Sequence, residues 1–233
     1  MIDGFPLDGD PSRLVVPEPT VKALLAEAGV AVPGAGGDRL VLKAFGPGIV
    51  HKSDVGAVRL GLAPDQVLGA KVAMADALAE HGLEAAGFLV EEQVAPGVEV
   101  LVGVVRTPFG LAAMVGLGGT LAEVLDDVAL ALVPVDADAL LRSFRASPVL
   151  DGVRGSAPVD RVALAAVVDG LVAVAESLGD RFLELECNPV LARPDGAVAA
   201  DARLVLAAAD PPAVDAPKPL DLDALLAPRS IAV

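Results

Sequence analysis

Short apolar runs separated by tight turns fill the middle of this chain and constrain its fold most strongly. Residues 87–94, 98–105 and 111–115 are strand-like runs, and the segments between them read Ala-Pro-Gly and Thr-Pro-Phe-Gly. Connections this short join neighbouring antiparallel strands. The sequence therefore predicts an antiparallel meander in this region.

Helical spacing of apolar residues flanks that region on both sides. Helices are predicted over residues 18–29, 65–81, 136–146 and 160–178, and further strands over residues 40–44, 58–62, 181–191 and 197–205. Asp160 is predicted as an N-cap or first-turn acid. The fold class is therefore α+β, with two subdomains that meet near residues 85–92.

Charge and composition exclude several classes of function. Lys and Arg number 17 against 32 Asp and Glu, a net charge of −15, and the chain has no Trp or Tyr. A nucleic-acid binder needs a basic face and aromatic stacking platforms, so we expect no nucleic-acid partner. One cysteine and two histidines exclude an internal disulfide framework and an all-histidine zinc site. With no signal pattern and no long apolar run, we expect a cytoplasmic protein without a membrane partner.

The segment of residues 183–203 is the most informative for chemistry, and it is predicted to form a hairpin. Strand alternation places Glu186 and Asn188 on one face. A turn at the Pro-Asp-Gly sequence sets Asn188 opposite Asp201 and Glu186 opposite Arg203. Two acids and an amide then converge, an all-oxygen set that suits Mg²⁺. The alternative is an ordinary solvated hairpin face.

A second candidate region begins at Lys43, inside an apolar strand. Such a lysine is either an edge residue or a buried cation that holds an anion. The loop of residues 46–56 follows, with three glycines, Lys52 and His51. Its backbone N–H groups and Lys52 can close over phosphates, although the spacing is not that of a P-loop. His51 is a candidate nucleophile, acid/base or phosphate carrier, or an ordinary loop histidine.

The predicted subdomain junction carries further polar residues. Residues 91–94 read Glu-Glu-Gln-Val and can present backbone groups to an adenine and a carboxylate to a ribose, or form a solvated strand edge. Glu99 and Arg106 lie at the two ends of the next predicted strand.

Together these pieces resemble the nucleotide-binding part of the NDP-forming acyl-CoA synthetases, the ADP-forming acetate–CoA ligases, which are related to the succinyl-CoA synthetase beta subunit. The matching segments are residues 41–44 (Val-Leu-Lys-Ala), 51–56 (His-Lys-Ser-Asp-Val-Gly), 90–94, 99–103, 116–119 with Glu123, 186–189 (Glu-Cys-Asn-Pro) and 201–203 (Asp-Ala-Arg). The resemblance implies the ATP-grasp fold, in which two α+β subdomains hold ATP between them and the second contains an antiparallel sheet.

The resemblance also implies roles for individual residues. Those roles are nucleotide binding by Lys43, Lys52, Glu91, Glu92, Val94, Glu99 and Arg106, catalysis by His51 and Asp54, and Mg²⁺ binding by Asn188, Asp201 and Glu186. The implied cofactors are Mg²⁺ and ATP or ADP. The implied reaction is acyl-CoA + ADP + phosphate ⇌ acid + CoA + ATP, through an acyl phosphate and a phosphohistidine. The implied partner is a CoA-binding, alpha-type subunit or fused domain.

The resemblance divides the chain into four parts. These are an arm over residues 1–17, a first subdomain over 18–90, a second subdomain over 91–208, and a linker over 209–233 that ends in the start of a CoA-binding domain. The first subdomain is trimmed, because only residues 34–39 stand where the family has an additional helix. The alternative function is therefore a catalytically impaired module that regulates or docks to a partner.

Overall fold

Two antiparallel sheets form the framework of this protein. The computed structural model describes residues 2–7, 10–49, 52–119 and 127–209. Within these ranges the strands are β1 (Phe5–Leu7), β2 (Asp10–Val16), β3 (Leu40–Phe45), β4 (Val58–Leu62), β5 (Gly87–Glu92), β6 (Val98–Thr107), β7 (Gly110–Leu117), β8 (Val128–Leu132), β9 (Phe182–Arg193), β10 (Gly196–Ala199) and β11 (Ala202–Ala207). The α-helices are α1 (Glu18–Glu27), α2 (Val67–Glu80), α3 (Ala137–Leu141) and α4 (Arg161–Ser177). The predicted α+β class is confirmed.

The larger sheet holds β1, β2, β11, β9, β6, β7 and β8 in that order, and β10 pairs with β9. Helix α4 packs on one face of it, because apolar residues such as Leu164 and Leu171 recur at helical spacing and are fully buried. The helix begins as predicted at Asp160, whose side chain accepts a hydrogen bond from the Ala163 N–H at 3.0 Å.

The smaller sheet has the order β4-β3-β5 and carries α2 on one face. Leu42 and Ala44 of β3 pack there with Met74 and Leu78 of α2, and all four are fully buried. Strand alternation turns Lys43 to the opposite face, toward the larger sheet. The central strand thus delivers a buried lysine to the junction of the two sheets.

The N-terminal segment differs from the predicted arm over residues 1–17. Strand β1 pairs with β2, and β2 pairs with β11, so that Val16 lies opposite Leu204. Val16 is buried in the core of the larger sheet. The apolar run of β2 is only three residues long and follows a Pro- and Asp-rich stretch, so the sequence pattern alone does not reveal this strand.

The subdomain boundaries also differ from the prediction. Val21 and Leu25 of α1 belong to the core of the larger sheet, so the smaller body begins at β3 rather than at residue 18. Strand β5 pairs with β3 along its whole length. Of the predicted meander, only the pairing of residues 98–105 with residues 111–115 holds, between β6 and β7, because β5 makes its backbone hydrogen bonds with β3. Strand β8 extends the pair, since it runs antiparallel to β7.

The C-terminal half follows the prediction more closely. The predicted strand over residues 197–205 is interrupted at Ala200 and Asp201, which link β10 to β11; the Ala200 N–H donates to the carbonyl of Pro189 at 3.0 Å.

Among the described helices, none is long and apolar enough to cross a membrane. The predicted linker and domain start lie, from residue 210 onward, outside the described residues.

Candidate functional site

Six charged side chains from both bodies meet at the junction of the two sheets. Here they are called the ion cluster, and its members are Glu18, Lys22, Lys43, Lys52, Glu91 and Asp201. They come from α1, β3, the loop after β3, β5 and the link between β10 and β11. The cluster holds three ammonium groups and three carboxylates, so its net charge is zero when all six groups are ionised.

Lys43 occupies the centre of the ion cluster. Its ammonium group donates to Glu18 Oε1 at 2.7 Å and to the Ala200 carbonyl at 2.5 Å, and it lies 3.2 Å from Glu91 Oε2. Burial by itself lowers the pKa of Lys43, but the carboxylates of Glu18, Asp201 and Glu91 outweigh burial and raise that pKa above its usual value. The predicted alternative of an edge lysine is excluded, since Lys43 is a buried cation.

Lys52 closes the ion cluster on the side of the glycine-rich loop. Its ammonium group donates to Glu18 Oε2 at 2.5 Å and to Asp201 Oδ1 at 2.6 Å. Burial raises the pKa of Asp201, and the neighbouring Glu18 adds to that effect, against Lys52 and Lys43. The sequence predicted phosphate roles for both lysines, and the structure brings their ammonium groups to the same two carboxylates, Glu18 and Asp201.

Sequence reasoning missed Glu18 and Lys22, which lie one turn apart on α1. Lys22 bonds both carboxylate oxygens of Glu91, at 2.6 Å for Oε2, and donates to the Ala200 carbonyl at 2.9 Å. Burial raises the pKa of Glu18, but Lys43, Lys52 and Lys22 more than reverse this and hold it well below its usual range. The available signal was the i, i+4 spacing of an acid and a lysine beside the buried residues of the same helix.

The hairpin of β9 and β11 has the predicted register. Arg203 lies opposite Glu186, and Ala202 lies opposite Cys187. On the β10 side Val190 pairs with Ala199, which leaves Asn188 and Asp201 as neighbours in the gap between the two paired segments. The predicted convergence of Asn188 and Asp201 on one face is thus consistent with the register.

The side chains of Glu184, Glu186, Asn188 and Arg203 form what is here called the hairpin face. Arg203 Nη1 donates to Glu184 Oε1 at 2.5 Å, while Arg203 Nε is buried and has no hydrogen-bond partner among the residues that the structure describes. Burial raises the pKa of Glu186, and a hydrogen bond from Asn188 works against this. The face carries two acids and one base, so it has an excess of negative charge.

The hairpin face suits a hard divalent cation by its donor chemistry. Glu186, Asn188 and Asp201 offer only oxygen ligands, and Asn188 Oδ1 accepts a hydrogen bond from the Gly119 N–H at 3.0 Å, which fixes the amide. Across the described ranges, no three His, Cys, Asp or Glu side chains converge as metal ligands. A metal ion here would therefore complete its coordination with the amide oxygen, water and phosphate, as Mg²⁺ does.

The residues predicted for adenine and ribose divide between two environments. Glu91 is buried in the ion cluster, whereas Glu92 and Glu99 are exposed and Val94 is half-buried. Gly119 has a φ of +65°, and a Cβ atom at this position would stand 1.6 Å from Glu99 Oε2. Because Gly119 has no side chain, Glu99 can lie against this residue, whose N–H donates to Asn188 Oδ1.

Arg106 lies apart from this group. Its Nε donates to the Phe182 carbonyl at 2.8 Å and its Nη2 to the Gly179 carbonyl at 2.6 Å, at the start of β9. Asn188 lies six residues further along extended strand β9 than Phe182, a distance of roughly 20 Å. Asp54 is exposed in the loop after β3, and His51 lies outside the described residues. The catalytic roles of Asp54 and His51 stay predictions.

This chain is similar to known proteins over most of its length. Residues 13–206 match the ATP-grasp domain family. The beta subunit of ADP-forming acetate–CoA ligase I from Pyrococcus furiosus is 35% identical over 211 residues, which covers 81% of this chain and 90% of that subunit. The predicted ATP-grasp fold is confirmed.

Two solved structures from Ca. Korarchaeum cryptofilum resemble this chain. One is its dinucleotide-forming acetyl-coenzyme A synthetase 1 in complex with coenzyme A and Ca-AMPCP, with a TM-score of 0.75 and 31% identity over 85% of this chain and 95% of that chain. The other holds coenzyme A and Mg-AMPPCP, with a phosphohistidine segment pointing towards the nucleotide-binding site; its TM-score is 0.68 and its identity 30% over 82% and 92% of the two chains. The chain belongs to the ATP-grasp family and is the ATP-grasp part of an ADP-forming acyl-CoA synthetase.

Proposed function

We propose that this chain binds Mg-ADP or Mg-ATP at the junction of its two sheets and transfers a phosphoryl group between the nucleotide and a phosphohistidine. The overall reaction is acyl-CoA + ADP + phosphate ⇌ acid + CoA + ATP. The observation that carries the proposal is the convergence of Lys43 and Lys52 on Asp201, next to the oxygen ligands of the hairpin face. Asp201 thus contacts the lysines proposed to bind phosphate and is itself one of the residues proposed to bind the metal ion.

Phosphoryl transfer depends mainly on positioning and on neutralising charge. Lys43 and Lys52 supply fixed positive charge for the phosphate oxygens, and Arg203 follows Asp201 by two residues on β11. Asn188, Asp201 and Glu186 would hold Mg²⁺, which supplies charge neutralisation of the phosphates when it is bound. Glu99, packed against the turn that also bonds Asn188, fits a ribose contact, while Glu92 and Val94 fit the adenine edge.

The phosphohistidine requires a partner. The similar Pyrococcus furiosus protein is named as a beta subunit, and the Korarchaeum structures hold coenzyme A. We therefore infer a CoA-binding, alpha-type subunit or fused domain as the partner of this chain. His51, with Asp54 three residues further on, is proposed to take part in the phosphate relay to that partner.

Thermal unfolding of the purified chain with and without Mg-ADP tests nucleotide binding. Nucleotide at 100 times its dissociation constant is expected to stabilise the fold by about 2.7 kcal/mol. Lys43→Met is expected to abolish this gain, whereas Lys71→Met, which alters a lysine over the Phe88 ring on the same body, is expected to retain it. A wild-type chain that melts cooperatively and shows no shift contradicts the proposal.

One observation favours the alternative of a module that only docks or regulates. Every ammonium group of the ion cluster already faces a carboxylate of the same chain, so the cluster is complete without a ligand. On that reading the chain binds a CoA-binding partner with an affinity that Mg-ADP does not change. Calorimetric titration of the partner with and without Mg-ADP separates the two functions.

A further inference from the structure

The three carboxylates of the ion cluster differ sharply in exposure. The side chains of Glu18 and Glu91 are 3% and 5% exposed, whereas that of Asp201 is 35% exposed. Only one of the three acids that neutralise the lysines is therefore accessible from the solvent side. Their ability to leave the lysines must differ accordingly.

Glu18 is held on all sides. Its Oε1 contacts Lys43 at 2.7 Å and Lys22 at 3.1 Å, and its Oε2 contacts Lys52 at 2.5 Å. The helix that carries it is anchored in the core through Val21, which is fully buried. Withdrawal of this carboxylate would leave two buried ammonium groups and the half-buried one of Lys52 short of a counter-charge, so Glu18 is a fixed partner.

Asp201 has the opposite character. It lies in the two-residue link between β10 and β11, and a single oxygen, Oδ1, reaches Lys52 at 2.6 Å and Lys43 at 3.6 Å. The remaining ion-pair partners of the two lysines, Glu18 and Glu91, are buried beneath them. An anionic oxygen that arrives from solvent therefore meets these ammonium groups at the position that Asp201 Oδ1 occupies, and a phosphate oxygen makes the same charge-assisted bonds.

We propose that Asp201 and a nucleotide phosphate compete for the ammonium groups of Lys43 and Lys52, while Glu18 is the positioning residue that keeps both lysines aimed at the cleft. This inference rests on the proposed function, because it requires nucleotide phosphate at this junction. Displacement from the lysines frees the Asp201 carboxylate beside Asn188. The binding of phosphate to the lysines would therefore make the Asp201 carboxylate available as a metal ligand.

The test measures ADP binding by calorimetry in EDTA, where metal binding contributes nothing. Asp201→Asn keeps the shape and the Oδ1 acceptor for the Ala202 N–H but removes the competing charge. We expect ADP to bind this variant roughly fivefold more tightly than the wild type, the factor for an ion pair of about 1 kcal/mol. A residue that acts only as a metal ligand would leave this metal-free affinity unchanged.

Asp195→Asn is the matched control, because it makes the same change in net charge on an exposed residue of the turn between β9 and β10. It is expected to leave the metal-free affinity within about twofold of the wild type. Should Asp201→Asn fail to melt cooperatively, Asp201→Ser takes its place. Unchanged or weaker metal-free binding by a folded Asp201 variant, or no measurable binding by it, overturns the inference.

A Lys52→Met background separates competition at the lysines from a general charge effect. The gain from Asp201→Asn is expected to shrink there to at most about twofold, because Asp201 Oδ1 lies 2.6 Å from Lys52 Nζ but 3.6 Å from Lys43 Nζ. A gain that stays as large as in the wild-type background contradicts the inference. Failure of the proposed function looks different, because the wild type then binds no nucleotide even with Mg²⁺.

Discussion

The ion cluster and the hairpin face meet at Asp201, yet their charge balance differs: the cluster is neutral, whereas the hairpin face has a net negative charge. The cluster balances three lysines against three acids, and each ammonium group contacts at least two oxygens. The hairpin face sets Glu184 and Glu186 against Arg203 alone. Within the ion cluster every ammonium group is paired with a carboxylate of the same cluster, and packing positions the lysines. The hairpin face carries surplus negative charge, which a bound cation would neutralise.

The largest expected effect concerns the fixed acid of the cluster. Glu18→Gln leaves three ammonium groups, two of them buried, with two carboxylates, and we expect the free energy of unfolding to fall by about 3–5 kcal/mol. Glu184→Gln, which breaks a half-exposed pair with Arg203, is expected to cost less than about 1 kcal/mol. Urea unfolding of the two variants checks the contrast, with Glu27→Gln at the end of α1 as a control. Equal losses would remove the distinction between the two regions.

A smaller effect of opposite sign is expected on the hairpin face. Glu186→Gln removes a charge that burial disfavours, so the variant is expected to be more stable than the wild type in EDTA. The same change is expected to weaken the Mg²⁺ dependence of ADP binding by about tenfold. Melting in EDTA and calorimetry with Mg-ADP measure the two effects. Loss of stability in EDTA would show that Glu186 is satisfied by the protein alone.

The pH dependence of stability is expected to differ in sign between the regions. Because the pKa of Glu18 is lowered in the folded chain, its stabilising effect is complete above the ordinary value of 4.5 and is lost as the pH falls through the folded pKa. The pKa of Glu186 is raised, so its destabilising effect is complete above the folded pKa and fades as the pH falls toward 4.5. Unfolding of the wild type, Glu18→Gln and Glu186→Gln between pH 7 and pH 3 checks both signs. The difference from Glu18→Gln should shrink only below pH 4.5.

The smallest expected effect is the labelling of Cys187, whose thiol lies on the inner face of the same hairpin. Cys187 is fully buried in the core, and burial, with a contribution from Asp201, raises its pKa to about 12. A thiol reagent at pH 8 is expected to label the folded chain negligibly and the urea-unfolded chain completely. Glu184→Cys in a Cys187→Ser background places the thiol on the outer face and is expected to react in the folded state. Fast labelling of folded wild type would contradict the assignment of faces.

Local patterns predicted the hairpin well. A Pro-Asp-Gly turn and strict alternation of Leu and Glu fix which residues of β9 share a face, and the turn sets which residue of β11 they oppose. The register of Glu186 and Arg203 followed from those two local features. The strand β2 escaped the same reasoning, because its short apolar run becomes a strand only through hydrogen bonds to β11, which lies nearly two hundred residues away.

The same limit applies to the functional residues. Lys43 stood out as a charge inside an apolar strand, but nothing near it in the sequence indicated Glu18, Lys22 or Glu91 as its neighbours. Arg106 was predicted near phosphate, yet β6 carries it to the opposite end of the sheet, where two backbone carbonyls bind its guanidinium.

The sequence by itself determined the residue types of the site, the α+β class, the hairpin register and, through its motifs, the resemblance to a family. Those properties depend on periodicity, turn chemistry and spacing along the chain. Only the tertiary structure decided that α1 packs with the larger sheet and brings Glu18 and Lys22 to the lysine of the smaller one. Burial of charge depends on groups that are distant in sequence, because a lysine is stable in a core only where the fold supplies its counter-charges.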